Sequence, residues 1–134
     1  MDEIMRWLCR FAYDHNIAVT IDNVHFKSDV PSTCYDKHVL INTNWDNKEE
    51  LPFIFAHELG HALNDDDGVL YYSTSASQSK IESAANNQAI DIMLEYSQAI
   101  DETPADYLTF MHNYNVPSFL DDEVKRRYSE RFKE

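Results

Sequence analysis

The 134-residue sequence predicts an α+β domain, mostly helical, with a small sheet in its amino-terminal half. Three observations carry this. Apolar residues recur at helical spacing in several long stretches. Two short β-branched runs lie before residue 45, and no Pro/Ser-rich linker or internal repeat divides the chain. With 43% hydrophobic residues, one compact domain over 1–134 can bury a core without staples.

Ile4, Trp7, Leu8 and Phe11 predict an opening amphipathic helix over 2–15. Ile17-Ala18-Val19-Thr20-Ile21 and His38-Val39-Leu40-Ile41-Asn42 read as strands, with turns at Asp22-Asn23 and Pro31-Ser32. A helix is expected from Asp46 to Asn64, capped by Asp46 or Asn47. Its regular part should begin at Pro52, where a missing N–H costs little. Asn64 to Gly68 stops it, and Val69-Leu70-Tyr71-Tyr72 reads as a short edge strand or an irregular segment. Residues 78–97 are apolar on several sides (Ile81, Ala85, Ala89, Ile92, Tyr96), which places that helix centrally. Thr103-Pro104-Ala105-Asp106 reads as a capped helix start, and Ser118 with Asp121 as another, leading to Phe132.

Composition narrows the function. The net charge is −13, from 11 Lys+Arg against 24 Asp+Glu. Such a chain repels phosphate backbones, so direct nucleic-acid binding is not expected, whereas a cationic protein partner is compatible. Two Gly exclude a Gly-rich phosphate loop, and two Cys are too few for a disulfide framework. No apolar run reaches the ~18 residues of a membrane span, and the acidic start lacks signal-peptide character. A cytoplasmic protein is expected. Cys9 reads as a small buried hydrophobe and Cys34 as a loop residue; His15, His25 and His38 read as isolated surface or turn residues.

The chemistry lies in His57-Glu58-Leu59-Gly60-His61. On a helix, two His four apart share one face and can hold one metal ion. Glu58, about 100° round the helix, can reach a metal-bound water without replacing it. Gly60 permits close backbone approach. A catalytic zinc site wants a third protein ligand. Glu82 is the favoured candidate, with Asn86 one turn later placed to orient a ligating His; Ala85 and Ala89 let the two helices approach. Asp67, six residues after His61, is the rival. Its geometry ordinarily needs Gly three residues after the second His, where Asn64 stands here. Tyr71, Tyr72 and His112 are the available donors to a developing oxyanion.

Ala56 to His61 (AHELGH) followed by Glu82 to Asn86 (E-x-x-A-N) resembles the ImmA/IrrE-type metallopeptidases of bacteria, phages and mobile elements. The strand His38 to Asn42 and the closing Asn115-Val-Pro-Ser118 resemble the same layout. The resemblance implies a zincin-like fold, zinc held by His57, His61 and Glu82, and Glu58 as general base. It also implies cleavage of a basic helix-turn-helix repressor, in a compact phage or prophage version. The acidic stretch Asn64 to Gly68 departs from the family's apolar follow-on. On this reading zinc acidifies a water, Glu58 takes its proton during attack on a peptide carbonyl, and an extended substrate adds beside His38–Asn42. The alternative is a non-cleaving binding module, anti-repressor or antitoxin-like; a weaker one is structural zinc, with Asp67 as fourth ligand.

Overall fold

The computed structural model describes residues 2–65 and 75–133. It has the mostly helical α+β architecture expected, with one three-stranded sheet.

Helix α1 spans Glu3–Asp14. Its start is set by Asp2, whose side chain accepts from the Met5 amide at 3.0 Å, and its Met5, Leu8, Phe11 and Ala12 face is buried. Asn16, with φ 59°, turns the chain into the sheet, a left-handed conformation that Asn tolerates better than most residues. Strand β1 (Ala18–Asp22) pairs in parallel with β3 (His38–Asn42), and β2 (Thr33–Tyr35) pairs antiparallel on the other side of β3. Asp36 and Lys37 both have φ near +55°. They form the two-residue left-handed turn that suits a tight hairpin.

This arrangement corrects two expectations. Cys34 is on β2 rather than in a loop. Strand β3 is the centre of the sheet, paired with β1 over His38–Asn42 and with β2 over His38–Leu40, so a substrate has no free edge to join along His38–Leu40. Val39 and Ile41 turn into the core, where α2 packs against the sheet.

At the end of β3, Asn42 is 1% exposed. Its Nδ2 donates to the carbonyls of Lys27 and Val30, both at 2.8 Å, and its backbone amide donates to Ser32 Oγ at 2.9 Å. The segment leading into β2 is thereby tied to the sheet.

Helix α2 (Leu51–Leu63) follows a 3-10 turn, Lys48–Glu50, capped by Asn47, and Pro52 lies in its first turn. The long helix α3 (Ser75–Ala99) packs against it. Both are core helices: Phe55, Ala56 and Leu59 of α2 and Ala85, Ala89, Ile90 and Met93 of α3 are fully buried. Helix α4 covers Tyr107–Asn113, not a start at Thr103. Asp101, with φ 58°, closes α3, and Asp106 accepts from the Thr109 amide at 2.7 Å as the cap. Pro104 precedes the helix and its carbonyl accepts the Tyr128 hydroxyl. A 3-10 turn at Ser118–Leu120 leads into α5 (Asp121–Arg131), whose first turn holds Asp121, Asp122 and Glu123, as the macrodipole favours. Arg127 of α5 pairs with Asp91 of α3. No helix among the described residues is long and apolar enough to cross a membrane.

Candidate metal centre

His57 and His61 lie one turn apart on α2, with ring centroids 4.6 Å apart and planes at 87°. Across from them, α3 presents Glu82. His57 Nε2 is 3.1 Å from His61 Nε2 and 2.8 Å from Glu82 Oε2; His61 Nε2 is 3.4 Å from Glu82 Oε1. A tetrahedral ion with ligands at ~2.0–2.1 Å holds its ligand atoms about 3.3 Å from one another, so these separations match such a cage.

The protonation pattern points the same way. His57 Nδ1 donates to Asn86 Oδ1 at 2.8 Å, which turns its Nε2 toward the cluster. Two imidazole nitrogens and a carboxylate this close need a positive charge among them, either a proton or a cation. Among the described residues these three side chains are the group able to hold a metal ion. His61 is 5% exposed and Glu82 39%, so the cluster is closed on the α2 side and open beside Glu82. An open coordination position is what catalysis at a metal requires.

Close helix packing makes the convergence possible. An added Cβ at Gly60 would stand 2.6 Å from the Ala85 carbonyl oxygen, 3.1 Å from Gln88 Cβ and 3.2 Å from the Ala85 carbonyl carbon. Below the ligands, Gln88 Nε2 donates to Asn64 Oδ1 at 3.0 Å. Asn64 itself has φ −84°; the left-handed residue after α2 is Asp65, with φ 55°.

A cleft of about 600 Å³ opens at the cluster, lined by His57, Glu58, Glu82 and Asn86 and by more distant residues including Trp45 and Phe119. A chain match then decides the family: the family model described as the IrrE N-terminal-like domain, a peptidase family, matches residues 14–129. The chain belongs to that family. The resemblance read from AHELGH and E-x-x-A-N is therefore borne out, from the last residue of α1 into α5. No curated protein and no solved structure matches the chain.

Within this IrrE N-terminal-like domain, burial pushes the Glu58 carboxyl up to about 7; the two imidazoles oppose the shift and Glu82 adds to it. Glu82 is held at about 2 by hydrogen bonds from His57 and His61. Metal-free protein should therefore show a pH signature. Between about 4.5 and 7 the folded state holds a proton on Glu58 that the unfolded chain has released, so stability falls as pH rises through that window. Glu58→Gln removes this cost. Its unfolding free energy should equal the parent's below pH 4.5 and exceed it above pH 7, by at most roughly 3 kcal/mol at 1.36 kcal/mol per unit. Urea titrations of both metal-free chains from pH 4 to 8.5 check this; a pH-independent difference would contradict it.

Other expected participants lie elsewhere. Asp67, Tyr71, Tyr72 and the Val69–Tyr72 segment fall outside the described residues. His112 lines a separate depression with Asn47, Glu50 and Leu108, not the cleft. His15 bonds the Phe11 carbonyl and His25 bonds Asp22, both local contacts, and His38 bonds Thr20 across the β1–β3 pair. Cys9 is half-buried, and burial raises its thiol pKa. Sequence reasoning missed the cleft lining of Pro31, Trp45, Phe53, Ile54 and Phe119, which no spacing in the chain announces.

Proposed function

We propose that this chain is a zinc-dependent endopeptidase that cuts a basic helix-turn-helix repressor of a phage or mobile element, in the cytoplasm. The observation that carries the reading is the convergence of His57 Nε2, His61 Nε2 and the Glu82 carboxylate within 2.8–3.4 Å at an open cleft. These three would hold the ion, and a bound zinc ion would polarise a carbonyl and acidify water. Glu58 then does the proton work: its carboxylate takes the proton of the attacking water and returns it to the leaving amine. Asn86, accepting from His57 Nδ1, fixes which imidazole nitrogen faces the ion. The net charge of −13 favours a cationic partner, and family membership supports peptidase chemistry.

The test is incubation of the zinc-loaded chain with basic helix-turn-helix repressors, any encoded near its gene first, reading fragments by mass spectrometry. Fragments that a chelator suppresses support the proposal. A stable complex without fragments would replace it with the binding-module reading. For Asn86→Ala we expect zinc affinity to fall about 10–100-fold with the fold intact, measured by competition with a chromophoric chelator. Unchanged affinity would remove Asn86 from its orienting role.

A further inference from the structure

Much of the cleft wall is apolar. Trp45, Phe53, Ile54 and Phe119 line it with Pro31, and among the described residues no lysine or arginine does. Phe53 and Ile54 precede His57 on α2 by one turn, so these two lie about 5 Å along the helix from the first of the ligands. The Trp45 ring is steadied by its Nε1, which donates to Glu50 Oε1 at 2.9 Å. Phe119 is 76% exposed although the next residue, Leu120, is 8% exposed in the core. The 3-10 turn after Pro117 thus holds an aromatic ring out in water beside the site. Exposed apolar residues are unremarkable when scattered, but this one borders the same cleft as His57, Glu58 and Glu82.

We propose that this apolar wall selects substrates with a large aliphatic or aromatic side chain beside the bond to be cut, gripped by Phe119 and Trp45. The inference rests on the peptidase reading, because the cleft is assigned to a peptide through the wall it shares with His57, Glu58 and Glu82. An extended peptide advances about 3.3 Å per residue. A side chain flanking a carbonyl set at the ligand cluster therefore reaches Phe53 and Ile54. Covering a Leu or Phe side chain there should favour it over Gly or Asp by roughly 10–100-fold in kcat/KM.

The test exposes the full zinc-loaded chain to a randomised peptide library and reads cut sites by mass spectrometry. We expect Phe, Leu or Met to be enriched next to the cut. Phe119→Ala should cut that preference about tenfold, mainly through KM, and Phe119→Leu should restore most of it. A second readout uses Trp7→Phe/Glu58→Gln, in which Trp45 is the remaining one of the two tryptophans. Its emission should shift with a Phe-containing peptide and not with the Asp-containing counterpart. Cleavage without enrichment, enrichment unchanged in Phe119→Ala, or an emission response indifferent to the side chain would each overturn the inference and leave the peptidase reading standing. If no peptide and no repressor is cut, the peptidase reading fails and the inference falls with it.

Discussion

Zinc-loaded Glu58→Gln is expected to lose cleavage by about 10²–10⁴-fold while binding its metal as tightly as the parent. The substitution keeps the shape of the side chain, and the amide fills the same half-buried space beside His57. What it cannot do is accept a proton, so water attacking a carbonyl has nowhere to send its hydrogen. The ligands His57, His61 and Glu82 are untouched, and the 2.8 Å bond from His57 to Asn86 should survive. Metal content by atomic absorption and single-turnover cleavage, measured on one preparation, separate binding from chemistry. Cleavage at the parent's rate would show that another group takes the proton. The same variant should be the more stable one without metal above pH 7, so loss of activity and gain of stability are predicted together.

Gly60→Ala should have the largest structural effect. Its methyl group would lie 2.6 Å from the Ala85 carbonyl oxygen, a backbone atom that cannot swing aside. Relief requires α2 and α3 to separate by several tenths of an ångström. Overpacking of this kind costs about 1–3 kcal/mol, only partly offset by the ~1 kcal/mol that alanine gains over glycine in a helix. The separation also acts on the ligands. Gly60 sits directly before His61, and Ala85 follows Glu82 by three residues on the opposing helix. We therefore expect a metal affinity at least tenfold weaker, checked by urea unfolding and by chelator competition. A variant as stable and as tight as the parent would mean that helix contact does not set the ligand distances.

The centre was readable because its spacing is local: His57, Glu58 and His61 are fixed by one helical turn, as are Glu82 and Asn86. That those two turns face each other was inferred from small residues, and Gly60 against Ala85 is how the chain does it. Strand β2 was not readable. Thr33-Cys34-Tyr35 is too short to show alternation, and its hairpin turn uses Asp36-Lys37 in place of the glycine that usually marks one. The order of the strands was equally hidden, since Val39 and Ile41 would be buried in a central or an edge strand. At Thr103-Pro104 two capping signals competed, and Asp106 won by reaching the Thr109 amide. The apolar cleft joins residues near 31, 45, 53 and 119, a juxtaposition that only the tertiary fold creates.

Asn42 gives that cleft a mechanical character. Its side chain fastens the chain on either side of Asp29 to the central strand, and so ties the bank carrying Pro31 and Ser32 to the sheet. Moving that bank away from the sheet would break both of these bonds. A substitution at buried Asn42 would thus reach the rim of the cleft from inside the domain.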